Sequence, residues 1–386
     1  MIIKLNIFQK VLFWFFVGLI GFWVVIQIQG TKDSFNNYLY SFLFGLMPLV
    51  AGIISMWRSG VWGSFKSAVG KALFFIGLGI FLWGVGETIW SYYNFFLGIP
   101  APYPSLAEIG FAPSIFFYSL GTIFLSKATG AKFGLRSKTA KAFLIVSPFI
   151  ILIAAYYLLV VVARGGVLVP PGETPLKLFL DIVYPLGGFV GITVAVIVSG
   201  LSFKYLGGVY RFDIYSLFLG LFGMFVSDVI FSYTTTVGTY YNSNLGDLIF
   251  GISWFLISFG VLGFYNLKEK DLPFYTSDLK KYKQVSTSSM IIFDKILSRI
   301  IKEQELIIGP MAWEEVKKIS FINVIDPIVG KVSFSGDQGG AVETIDYLVS
   351  RYKRLFGRAS HEVCKEAVQD LIVELPSEEV PQSLKS

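Results

Sequence analysis

Cysteine and histidine occur once each in 386 residues, as Cys364 and His361. One cysteine excludes an intrachain disulfide and a cysteine-built metal cluster. One histidine, outside the apolar part of the chain, excludes a histidine-ligated haem or copper centre there. Charge is scarce as well: 15% of residues are Asp, Glu, Lys or Arg, against 54% apolar and 17% aromatic. No phosphate-cradling glycine loop, dinucleotide fingerprint, HExxH or GxSxG in a strand context is found, so no enzyme, cofactor or metal is expected.

What the chain has in abundance is apolar runs of about 20 residues, the length a helix needs to cross a bilayer. Eight are read, at 11–27, 39–57, 71–93, 108–125, 142–162, 178–200, 213–233 and 247–265. The first is too long, and lacks the small-residue cleavage site, for a removable signal peptide; it is expected to stay as an anchor. The expected class is an all-α polytopic membrane protein with eight transmembrane helices. Twelve Lys and Arg flank one side of these spans and three the other, Lys32, Arg164 and Lys177. That asymmetry places both termini in the cytoplasm of a multi-pass cell-membrane protein.

Into this apolar background the chain sets a few acids. Glu87 lies within G-E-T-I-W-S-Y-Y, and Glu108 follows a turn holding Pro100, Pro102 and Pro104. The pattern returns: V-S-D-V-I-F-S-Y matches V-G-E-T-I-W-S-Y, setting Asp228 on Glu87 and Tyr233 on Tyr92, while N-L-G-D-L-I-F matches S-L-A-E-I-G-F, setting Asp247 on Glu108. Pro48 has a rough counterpart in Pro185. This reads as a four-plus-four tandem repeat, about 8–126 and about 142–266, within a membrane domain at 1–266. With Asp181 opening the sixth span, five carboxylates fall in the outer half, Glu87 one to two turns below the surface. Charge in hydrocarbon is usually kept for function. The expected site is an outward pocket of Glu87, Glu108, Asp181, Asp228 and Asp247 with Trp90, Tyr92 and Tyr233, taking a small polar molecule or a cation on carboxylates and ring faces. Three other roles stay open: Glu108, Asp181 and Asp247 also suit helix N-termini, Glu87 and Asp228 also suit buried acids kept protonated or hydrogen-bonded to Ser or Tyr on a neighbouring helix, and Tyr and Trp also gather at membrane interfaces.

After Tyr265 the composition turns polar. A linker is read at 267–285, then a cytoplasmic helical domain at 286–375 and a disordered end at 376–386. Ser286 is expected to cap a helix with Ile292, Ile296, Ile300 and Ile301 on one side. Pro310 suits the first turn of the next helix. K-V-S-F-S-G from Lys331 reads as one short strand, followed by helices at about 341–356 and 360–375 with Gly357 ending the first. With 17 basic against 18 acidic residues this part is nearly neutral, and no nucleic acid is expected as a partner. S-H-E-V-C-K-E, around His361 and Cys364, is only a weak match to a phosphoacceptor box, with no nucleotide-binding domain after it.

G-E-x-x-W-x-Y-Y with P-Y-P-S-L-A-E-x-x-F, D-I-V-Y-P-L-G from Asp181, and S-D-V-I-F-S-Y with L-G-D-L-I-F together resemble a multi-span sensor module of bacteria and archaea. In those proteins the module precedes diguanylate cyclase (GGDEF), EAL phosphodiesterase or histidine kinase domains. The resemblance implies a membrane input domain. No GGDEF, EAL or kinase sequence occurs in these 386 residues, which points to a sensor or adaptor without an enzymatic output. The expected partners are the bilayer, a small-molecule or cation ligand and a cytoplasmic protein met through 286–375, with homo-oligomerisation left open. A helix leaving the eighth span is expected to carry the signal. The alternatives are an ion- or proton-coupled transporter or channel, and a structural subunit of a membrane complex.

Overall fold

The computed structural model describes residues 5–99, 103–162, 165–167, 174–265, 285–319, 321–326, 331–334 and 340–385. About 79% of the described residues are helical, and the only sheet among them has two strands, so the class is all-α. Eight long helices form the N-terminal part: α1 (Ile7–Gln29), α2 (Phe35–Ser59), α3 (Ala68–Tyr92), α4 (Glu108–Thr129), α5 (Lys138–Tyr156), α6 (Pro175–Ser202), α7 (Arg211–Thr236) and α8 (Leu245–Leu262). α3 and α5 continue into π-helical turns at Tyr93–Leu97 and Tyr157–Val162. Seven of the eight are long and apolar enough to span a membrane; in α6 the apolar stretch is Leu186–Ser202. The chain is therefore a multi-pass helical membrane protein by length and composition.

Polar caps lengthen the helices beyond their apolar runs. Asn6 and Gln9 close a reciprocal capping box before α1, and Ser34 and Asn37 do so before α2. Thr174 caps α6 ahead of Pro175 at the first helical position, and Asn244 caps α8. α3 packs between α2 and α4, α8 lies against α7 and α2, and α6 lies against α4. Small residues let these backbones approach: a Cβ on Gly110 of α4 would overlap the backbone of Gly86 in α3. α1 and α5 bury only 17% and 18% of their apolar windows and so form the periphery.

The C-terminal part holds α9 (Thr287–Ile308), α10 (Met311–Val316), α11 (Ala341–Phe356) and α12 (Arg358–Ala367), with an antiparallel pair β1 (Ile322–Asp326) and β2 (Lys331–Phe334). Ser286 caps α9 by accepting the Ser289 N–H at 3.1 Å, and Gly357 ends α11 at φ 71°, both as expected. Three expectations need correction. The expected single strand pairs with a second, β1, in the register Ile322 to Phe334 and Val324 to Val332. Among the described residues no helix leaves the eighth span: α8 stops at Leu262 and Gly263–Tyr265 turn, while the expected linker at 267–285 lies outside the described residues but for Val285.

The end expected to be disordered is instead a strap over α11 and α12. Leu384 is buried, Asp346 accepts the N–H groups of Gln382 (3.2 Å) and Ser383 (2.7 Å), and His361 Nε2 donates to Ser383 O at 2.6 Å. Burial, with Lys353 and Lys365 nearby and opposed by the Ser383 bond and Glu362, lowers the His361 pKa below 6.5. A base with a lowered folded pKa takes its proton more readily when released, so the strap's contribution is complete above about pH 6.5 and falls as the pH drops below it. Amide exchange at Gln382 and Ser383, corrected for its intrinsic rate, is expected to speed up between pH 7.5 and 5.5 in the wild type and to lose that dependence in His361→Ala.

Candidate functional site

The acids do not share one pocket; they fall into two groups. In the first, Glu87 of α3 is 6% exposed and near enough to Asp247 of α8 to interact electrostatically. Gly45 of α2 makes room for it, since a Cβ there would lie 2.5 Å from Glu87 Cγ. Glu87 precedes the end of the extended α3 at Leu97 by about ten residues, or about 15 Å, deeper than expected because of the π-helical turn. No hydrogen-bond donor meets its carboxylate among the described residues. The Tyr40 hydroxyl, fully buried and interacting with Asp247, has no partner either, nor does the Ser91 hydroxyl one turn from Glu87.

Asp247 is held tightly. Its carboxylate accepts the Ser243 N–H at 2.6 Å and lies within 3.4 Å of the Tyr240 and Ser41 hydroxyls. Ser243 adopts φ 67°, unusual for a residue with a side chain. It stays there because Trp23 and Gln27 both donate to its carbonyl at 2.9 Å and Asn37 donates to its hydroxyl at 2.6 Å. Asn244, not Asp247, caps α8. Asp247 thus ties the 240–244 loop to α2, whose Ser41 is 206 residues away in sequence.

In the second group, the Tyr184 hydroxyl of α6 donates to Glu108 Oε2 at the start of α4. Asp228 of α7 interacts electrostatically with Tyr184 and with Tyr118 of α4. Asp228 borders a recess between α4, α6 and α7 with room for about one water molecule, 10 Å³ of space for its centre. Each group draws acids from both sequence halves: Glu87 interacts with Asp247, while Glu108 and Asp228 both interact with Tyr184. The Asp181 side chain lies outside the described residues.

The expected aromatics divide too. Trp90 is half-buried with its ring edge-on to Phe231 at 6.3 Å, and Phe231 meets Tyr240 at 4.9 Å, a chain leading to Asp247. Tyr92 and Tyr233 are 52% and 42% exposed and belong to neither group. Their exposure fits interfacial anchoring instead.

The opposite end of the bundle, where the Lys- and Arg-rich loops lie, is covered by the C-terminal helices. Trp62, in the α2–α3 loop, is 1% exposed, donates to Phe264 O at 3.1 Å and packs edge-on to Tyr210 (5.4 Å) and Phe356 (6.4 Å). The α6–α7 loop supplies N–H groups to the last carbonyls of α11: Val209 to Arg354 O at 2.9 Å, Gly207 to Phe356 O at 3.3 Å and Tyr210 to Leu355 O at 3.4 Å. Ala359 N–H returns a bond to Tyr205 O at 3.0 Å. Lys132 pairs with Glu366 at 2.5 Å across the same contact.

Behind it, Glu315 of α10 is 1% exposed and receives Arg351 Nη2 at 2.6 Å, Lys318 Nζ at 3.1 Å and Arg354 Nη2 at 3.2 Å. Cys364 is fully buried, 3.2 Å from Gln304 Nε2, and burial pushes its thiol pKa up to about 12, so it packs and does not react. Among the described residues no group of three His, Cys, Asp or Glu side chains is placed to hold a metal. Tyr40, Ser41 and Ser243 carried no signal in the sequence analysis, although N-S-N ahead of an apolar run is a legible cap signal. No family model, curated protein or solved structure matches the chain.

Proposed function

We propose that this chain is a membrane-embedded sensor or adaptor of the cell membrane, with both termini cytoplasmic, whose input is at the outer acids and whose output is its C-terminal helical part. One observation carries the reading: the two loops that seat the C-terminal helices run straight into the helices that bear the deep acids. Trp62 lies just before α3, which holds Glu87, and 205–210 lead into α7, which holds Asp228. A helix is stiff, so a shift or tilt set by the state of either acid reaches its far end, where it changes the fit of loop to tail. This route replaces an exit helix from the eighth span. A cytoplasmic protein partner would read the change through 286–375.

The repeat reading draws support from the packing. α2 lies on α8 and α4 on α6, contacts that exchange under a four-plus-four correspondence, and the first helix of each half, α1 or α5, is peripheral. Eight spans, rather than seven, follow from that correspondence.

The test is hydrogen exchange of the full-length protein in nanodiscs, comparing wild type with Glu87→Gln and with Asp228→Asn. Altered protection in 207–210 and 354–357 is expected, more than 20 Å from either substitution along helices of this length. Unchanged protection there in both variants sinks the reading.

A further inference from the structure

The recess beside Asp228 has the makings of a specific site. It is bounded by Asp228, Tyr118, Gly188 and Gly191 with the apolar Leu221 and Met224, and Asp228 is the one charged residue lining it. No hydrogen-bond donor reaches the Asp228 carboxylate among the described residues. A carboxylate in hydrocarbon without donors or a counter-charge is costly to keep.

An unpartnered hydroxyl lies beside Gly191, behind the lining of the recess. Ser119 is 5% exposed and its hydroxyl has no partner. The missing Cβ of Gly191 would lie 3.2 Å from that oxygen and 3.5 Å from the Tyr118 ring, so the space opened by this glycine separates Ser119 and Tyr118 from α6. Any larger residue at Gly191 fills it.

Size and charge define the occupant. The free space suits one water-sized body. Magnesium keeps several waters when bound, and calcium takes six to eight oxygens; neither fits a recess with one carboxylate and no supporting group of acids. One negative charge is balanced by one positive charge. We propose that the recess between α4, α6 and α7 binds a single dehydrated monovalent cation of about sodium's size, on the Asp228 carboxylate with the Tyr118 hydroxyl as a neutral ligand. This rests on the reading of Asp228 as an input and narrows the ligand class from a small polar molecule or a cation to a monovalent ion.

Thermal unfolding of the full-length protein in detergent tests the proposal, with sodium chloride compared against choline chloride at equal ionic strength. Sodium is expected to raise the wild-type Tm by about 3–6 °C, as binding to the folded state alone requires. Asp228→Asn loses that shift, and Gly191→Ala, which keeps the charge and fills the space, loses it as well. Radioactive sodium retained by the wild type and not by Gly191→Ala gives the same answer if Asp228→Asn fails to fold. Equal wild-type Tm values in the two salts mean that the recess holds water only and overturn the proposal, as does an undiminished shift in both variants. Exchange at 207–210 and 354–357, measured in the same two salts, separates the two claims: a sodium-stabilised protein with unchanged exchange there supports the ion site and refutes the coupling to the tail.

Discussion

Glu315→Ala is expected to cost the C-terminal helical part about 3–5 kcal/mol, the loss typical of removing one member of a buried ion network. Glu315 holds the Arg351 and Arg354 guanidiniums, whose side chains are only 6% and 11% exposed, and Lys318 at the edge. Without the carboxylate the buried Arg351 guanidinium loses its ion-pair partner, and Arg354 and Lys318 lose this one as well. Arg354 also presents its carbonyl to Val209, so the damage spreads to the seat on the bundle. Exchange should rise throughout α10 and α11, with the membrane helices unaffected. Equal protection in mutant and wild type would show the network to be energetically idle.

Trp62→Ala is expected to be comparably severe, about 3–5 kcal/mol for a large aromatic removed from a packed site, but to act differently. The C-terminal helices keep their own core, which includes the fully buried Phe293, Ile296, Ile300 and Tyr352. What is lost is the aromatic centre shared with Tyr210, Phe264 and Phe356 and the indole bond to Phe264 O. The signature is undocking: exchange rises at 206–210 and 354–359 while α9 stays protected. Loss of protection in α9 as well would mean that the tail has no independent stability, and the account of a separable output part would fail.

Much of the fold is legible in the residues. Apolar runs located all eight long helices, and Ser286, Pro310 and Gly357 marked real helix ends, because caps and breakers act locally. Helix ends were missed where polar groups such as Asn6 with Gln9, or Ser34 with Asn37, extend a helix past its apolar window. β1 escaped because Ile322–Asp326 is mostly exposed and its ladder shifts register near Val324, which blurs the two-residue period. The end strap escaped because its low hydrophobicity hides one anchoring leucine, Leu384. The site was legible in depth and not in azimuth: spacing along a helix says how far down Glu87 and Asp228 lie, but which neighbour each faces depends on how helices from opposite halves pack. That is why four of the five acids expected together separate into two groups.

The seat of α11 on the α6–α7 loop also orders the molecule in time. The final carbonyls of any helix lack partners within it, and those of Arg354, Leu355 and Phe356 find theirs only in residues 207, 209 and 210. Those loop residues leave the ribosome about 150 residues earlier and are in place only once α6 and α7 stand side by side. The last-made helices therefore close over a surface that exists only if the earlier ones have inserted and paired correctly. In a misassembled bundle, α11 frays and Phe356 lies bare to proteases, so the C-terminal part certifies the bundle it covers.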